Sequence, residues 1–222
     1  MKKYLFVFTV FLPMMLIAQE NEQTQRERVK MSGQVMLMSA TNSNLTGGYY
    51  SLAPAVRGQV TASYRGFSLT AMRNSDLLSS ESIANLTVIA PSYARTFGVY
   101  ALTVSAETYI FDQRRDLDLI APSLMFAGKG KVDVDVLVLY GASFEGTDAF
   151  TQRLAISKEY AGFTFRLTGW NVYWGTHRAA VAAEISTKLT DHFRFTVIGN
   201  LNHIFDTETT QKFGVVRIGY SF

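Results

Sequence analysis

Beyond Ala18 this chain has no apolar run long enough to cross a bilayer as a helix, yet apolar and polar residues alternate along it to the last residue. A period of two sends successive side chains to opposite faces of a strand. The pattern is plainest in Lys212 to Phe222, where Gly214, Val216, Ile218, Tyr220 and Phe222 share one face and Phe213, Val215, Arg217, Gly219 and Ser221 the other. Val132, Val134, Val136, Val138 and Tyr140 likewise alternate with Asp133, Asp135, Leu137 and Leu139. If such a chain meets lipid, it must do so as a barrel. Only helices and closed barrels satisfy every backbone polar group there.

The first 18 residues read as a secretory signal peptide: Lys2 and Lys3, an apolar run from Tyr4 to Ala18, and cleavage after Ala18. The run is shorter than the roughly 20 residues of a spanning helix. Residues 19–28 are polar and aperiodic, a periplasmic lead-in to a single domain at 29–222. The two leader lysines carry two of the three formal positive charges, which leaves +1. That balance, without a clustered basic patch, excludes nucleic acid as a partner. The chain has no cysteine, hence no disulfide framework, thiolate metal site or lipid anchor.

Period-two segments separated by turn residues predict about twelve strands. The connections at Arg65-Gly66, Arg95 to Gly98, Gly128 to Gly130, Ala161-Gly162 and Leu189 to Asp191 are short. Those between them are longer and more polar: Thr41 to Tyr50, Asn74 to Ser82, Asp112 to Asp118, Phe144 to Thr151, Tyr173 to Arg178 and Ile204 to Gln211. An even strand count with alternating short turns and longer loops resembles the up-and-down antiparallel barrels of bacterial outer membranes. Aromatics near strand ends (Tyr64, Phe67, Tyr140, Phe163, Phe193, Tyr220 and Phe222) fit the girdles of that family. A soluble barrel would instead bury the apolar face and wet the charged one. The ending at Tyr220 and Phe222 resembles the closing strand of that family. The resemblance implies that these two residues are read by the barrel-insertion machinery, and that outer-membrane lipid surrounds the domain.

With the apolar face outward, the other face lines a lumen. Its basic members are Lys30, Arg57, Arg65, Arg153, Arg166, Lys188, Arg194 and Arg217; its acidic members are Glu107, Asp133, Asp135 and Glu184. Arginine dominates. Rings of arginine favour anions, and the guanidinium fork suits carboxylate and phosphate. In size and lumen charge the chain resembles small twelve-stranded porins that pass acidic oligosaccharides along arginine tracks. The expectation is porin-like passive passage of small, preferentially anionic solutes, carried by Arg57, Arg166, Arg194 and Arg217. The alternative is a closed structural or interaction barrel of the cell envelope, acting through its outer loops on envelope partners. Pairing of Asp133 and Asp135 with arginines on neighbouring strands would close the interior, and Met36, Met38, Leu137 and Leu139 would narrow it near the outer end.

No catalytic set, cofactor motif or metal-ligand spacing is expected. His203 with Asp206 is the one pair that suggests a loop-based hydrolase, and a polar histidine at a strand end is the plainer reading. Asp112, Asp116 and Asp118 share a loop that is better read as solvated than as a weak Ca²⁺ site. The Asn44-Leu45-Thr46 and Asn85-Leu86-Thr87 sequons match a glycosylation pattern that a bacterial envelope protein does not use.

Overall fold

Every strand in a closed barrel has two partners, so no edge is left to satisfy. The computed structural model describes residues 29–42 and 47–222; the expected leader, the lead-in and the Asn44 sequon lie outside them. The strands are β1 Lys30–Met38, β2 Thr41–Asn42, β3 Tyr49–Ser51, β4 Ala55–Tyr64, β5 Phe67–Asp76, β6 Leu86–Phe97, β7 Tyr100–Phe111, β8 Leu119–Gly128, β9 Asp133–Ser143, β10 Ala149–Tyr160, β11 Phe163–Trp174, β12 Thr176–Lys188, β13 Phe193–Ile204 and β14 Thr209–Ser221. β1 and β4 through β14 form one closed antiparallel barrel, ordered as in the chain, and β2 and β3 pair separately inside the first long loop. The twelve barrel strands are 9 to 13 residues long, enough for a tilted strand to cross a bilayer.

The distribution of side chains is inside out. Val35, Leu37, Val60, Leu69, Leu124, Val136, Leu154, Leu167, Val197 and Ile218 are exposed on the outer wall. Arg57, Asn74, Ser123, Thr168, Ser186 and Asn200 are buried within. Such a surface is stable only against lipid. Aromatic pairs gather at the short-turn end: Phe67 with Tyr93 at 4.7 Å, Tyr100 stacked on Phe126 at 5.5 Å, and Phe193 with Tyr220 at 5.0 Å between ring centroids.

The turns at that end are as short as the pattern predicts. Arg65-Gly66 and Ala161-Gly162 both take positive φ at their two central positions, the backbone whose twist matches a two-residue hairpin. Arg65 is therefore a turn residue. Its guanidinium lies over the Tyr64 ring at 5.3 Å rather than in the lumen. The opposite end departs from expectation at Tyr173 to Arg178, predicted as a loop. β11 and β12 run on through Trp174 and Thr176, with Tyr173 opposite His177, and Gly175 alone turns the chain with φ of 66°. Cross-strand pairing extends the ladder through residues whose composition resembles a loop.

Closure depends on β1 meeting β14. Leu37 faces Ile218, Gln34 faces Ser221, and the backbones of Gly33 and Phe222 exchange hydrogen bonds of 2.9 and 3.0 Å. The Phe222 ring lies directly over Gly33, where an added Cβ would stand 2.4 Å from the ring. Gly33→Val is expected to push the ring off this seat and cost ~1–3 kcal/mol through overpacking. In a Phe222→Ala background the same valine should cost much less, so a double-mutant cycle read from urea unfolding of the refolded barrel gives a coupling above ~0.5 kcal/mol. Additive losses would mean that ring and glycine do not share the seam.

Candidate functional site in the barrel lumen

Alternation fills the long-loop half of the lumen with carbon. One cluster joins Met38, Ala40 and Ala55 to Trp170, Val172, Ala180, Ala182, Ile198 and Val215. A second joins Leu86, Val88, Tyr109 and Phe111 to Leu119, Ala121 and Leu139. Trp174 packs against both, so its indole links the two sides. The expected narrowing by Met36, Met38, Leu137 and Leu139 is present and is larger than these four residues. Leu86 and Val88 point inward as well, with Leu86 opposite Phe111 in the β6–β7 register. The first long loop adds to the filling. The Tyr50 ring meets Phe111 edge-on at 5.9 Å. Gly47, at φ of 66°, lies so close to Trp170 and Ala180 that any Cβ would stand 2.7 Å from each.

Below this filling lies a belt of charge. Asp135 binds two arginines at once: Arg153 Nη2 donates to one oxygen at 2.8 Å and Arg166 Nη2 to the other at 2.7 Å. β9 and β10 are neighbours and β11 is one strand further, so the carboxylate bridges three strands. Asp133, expected to pair in the same way, is exposed at the strand start, and its side chain accepts from the Gly130 N–H at 3.1 Å. Glu107 accepts a hydrogen bond from the Tyr109 hydroxyl. Arg217 and Glu184 are half-buried on inward positions of β14 and β12. Arg194 is exposed at the short-turn mouth, opposite Lys188. Tyr220 and Phe222 stand on the outer wall beside Phe193. The sequence-derived set therefore does not form one track. Arg57, Glu107, Asp135 and Arg166 are interior, with Arg153 among them, and Arg194 and Asp133 lie at the mouth.

Arg57 stands apart from the other arginines. It is 5% exposed, and its Nε donates to Asn74 Oδ1 at 2.6 Å. No carboxylate pairs with it among the described residues. Asn74 is 1% exposed; with its oxygen committed to Arg57, its Nδ2 is a buried donor without a partner. The two side chains border a cavity of about 220 Å³ together with Glu107 and Arg153. Met72, Leu86 and Val88 beside Asn74, and Leu137 and Leu139 on β9, give the cavity an apolar share of its lining, with Thr70, Tyr109 and Thr151 among its polar members. Sequence reasoning named Arg57 but not Asn74, which lies at a predicted strand–loop boundary and reads as a loop residue.

The loops hold their polar groups locally. Asp112 accepts from Arg73 at 2.7 Å, and that hydrogen bond holds its carboxyl below the usual carboxylate range. Asp116 is likewise held low by its hydrogen bond with Arg114. Asp118 accepts from the Phe111 N–H at 2.7 Å and from Arg115. The three acids turn to three different partners, and no metal-sized group of acidic residues and histidines forms among the described residues. Asn85 is buried and structural: its Nδ2 donates to the carbonyls of Ser79 and Ser80 and its oxygen accepts from the Asp76 N–H. His203 and Asp206 do not pair. His203 Nδ1 bonds the Thr210 hydroxyl at 2.9 Å, whereas Asp206 accepts from the His177 backbone. His177 bonds Asn171 Oδ1 at 2.8 Å on the outer wall and stacks between Tyr173 and Phe205.

No family model matches the sequence, and no curated protein does. Comparison of folds gives close matches. The barrel superposes on the KdgM porin with a TM-score of 0.60 at 11% identity, covering 86% of this chain and 97% of that one. It superposes on the NanC porin with a TM-score of 0.60 at 10% identity, covering 87% and 99%. Outer membrane phospholipase A from Escherichia coli follows at 0.51 and 13% identity, covering 86% and 91%. The KdgM porin is also known in complex with disordered oligogalacturonate. At these identities the likeness is one of architecture, and it extends over nearly the whole of each barrel. In fold, the chain is a closed twelve-stranded transmembrane barrel, similar in architecture to the small porins KdgM and NanC.

Proposed function

We propose that this barrel lies in a bacterial outer membrane and passes small solutes with a preference for anions, selected at the cavity beside Arg57. The observation that carries the reading is the state of Arg57, a buried guanidinium held by a neutral amide. Burial of a charge without a counter-charge is costly, and an arginine fork is shaped for carboxylate or phosphate. The porin-type fold supports passage, and the acidic solute held by the KdgM porin is in keeping with it. Export by way of residues 1–18 and recognition of Tyr220 and Phe222 by the insertion machinery belong to the same proposal.

A second reading is favoured by one observation. Trp174 links the two apolar clusters across the long-loop half of the lumen. A barrel closed there would act through its outer loops on envelope partners. The two readings part in a planar bilayer. For the refolded, heat-modifiable protein under a salt gradient, steady steps with a reversal potential of anion sign are expected, and Arg57→Glu should move that potential toward cations. A conducting barrel indifferent to Arg57→Glu would remove this residue from the path. Trp174→Ala should widen the link between the clusters and raise the conductance or the open time. A Trp174→Ala barrel as silent as the parent would favour the closed reading.

A further inference from the structure

We infer that the cavity beside Arg57 is a binding site for a small carboxylate with an apolar body, a class distinct from the acidic sugars of the fold relatives. The inference rests on the cavity being on the solute path, and it names what the cavity selects. Its polar end has two donors without acceptors of their own. The Arg57 Nε–H is spent on Asn74 Oδ1 at 2.6 Å, which leaves the Nη groups of the fork without a carboxylate among the described residues. The same hydrogen bond fixes which atom of the Asn74 amide is oxygen, so the unpartnered buried atom is the N–H donor Nδ2. A carboxylate has two oxygens and no donor. One oxygen suits the Arg57 fork and the other suits Asn74 Nδ2. An ammonium or an alcohol meets neither need as well.

The remaining anion and cation in the cavity sharpen the choice. Glu107 is occupied by the Tyr109 hydroxyl, and Arg153 by Asp135. The hydrogen bond leaves the Glu107 carboxylate its charge, so Arg57, Arg153 and Arg166 stand against Glu107 and Asp135, and one net positive charge is left for one negative charge. Beside the Arg57–Asn74 pair the lining is apolar, with Met72, Leu86 and Val88, and Leu137 and Leu139 add to it from β9; Thr70, Tyr109 and Thr151 are its polar members. The hydroxyls of a sugar acid turned toward Met72, Leu86, Val88, Leu137 or Leu139 would lose water and gain no partner, which is unfavourable for every hydroxyl so placed. A short hydrocarbon chain turned the same way gains with each methylene buried. The volume of about 220 Å³ accommodates a molecule of this small size.

The test uses the full mature chain refolded in detergent, with hexanoate, galacturonate and hexan-1-ol as probes in calorimetric titration. Hexanoate is expected to bind saturably at one site per barrel, with galacturonate and hexan-1-ol each about tenfold weaker or worse. Arg57→Met should weaken hexanoate about tenfold, and Asn74→Ala several-fold, as expected for lost hydrogen bonds to a charged group. Arg57→Lys keeps the charge but loses the fork; should Arg57→Met not fold, it is the variant to read, and it too should weaken hexanoate several-fold. Galacturonate binding as tightly as hexanoate would overturn the apolar-body assignment. Hexanoate binding unchanged in these variants would place the acid elsewhere, detergent included. Failure of the passage reading appears separately: a silent bilayer with intact hexanoate binding ends passage but keeps the site, whereas anion-selective steps without hexanoate preference keep passage and end this assignment.

Discussion

The structure depends on one seam. A β-sheet in lipid cannot leave an edge, because every unpaired backbone group would stand in hydrocarbon at a cost of several kcal/mol. Eleven of the twelve pairings join strands that are neighbours in the chain, and local hairpins can form them. The twelfth joins β1 to β14, almost two hundred residues apart, and there Phe222 exchanges two backbone hydrogen bonds with Gly33 and lays its ring over a position without a side chain. The inside-out surface, the aromatic belt and the enclosed lumen all presuppose that seam.

Closure also produces the interior, and its contents divide by height. Near the long loops the enclosed residues are large and apolar, and they pack as a protein core does, joined by Trp174. Lower down the charged side chains gather, and Asp135 ties three strands together through Arg153 and Arg166. Two of the interior arginines are thus structural, since each completes a half-buried ion pair with Asp135. Arg57 is the exception: a buried cation held by a neutral amide, beside an empty-handed donor. The Arg57–Asn74 pair contrasts in this with the ion-paired arginines around Asp135.

The outer wall shows how the same alternation is read when polar residues fall on it. Gln152, Asn171, His177, His203 and Thr210 face outward toward the long-loop end and are joined by hydrogen bonds between neighbouring strands. They stand above the apolar band, where water and headgroups meet the barrel, and they satisfy one another along the sheet. The histidines there are held as parts of a polar rim, without the base-and-acid geometry that hydrolysis requires.

Architecture and facing were legible in the sequence because a period of two is a local property. Each strand's alternation states which residues share a face, and an even number of strands with short turns leaves few topologies besides the barrel. The short turns were equally local, since positive φ at Arg65-Gly66 and Ala161-Gly162 follows from the residues that twist a hairpin. Tyr173 to Arg178 was misread because composition suggests a loop, while pairing with the neighbouring strand extends the ladder through it. The facing of Leu86 and Val88 was not legible, because an apolar pair carries no mark of inside or outside. The pairing of charges was not legible at all. Asp135 takes two arginines, Asp133 caps a turn, and Arg57 finds Asn74 because distances across a closed sheet depend on register and curvature. The sequence by itself determined that this chain spans lipid as a barrel and, where charged residues mark a strand's face, which side chains turn inward. Only the tertiary structure decided which charges neutralise one another and which is left without a counter-charge, since that depends on closure of the sheet bringing distant strands within hydrogen-bond reach.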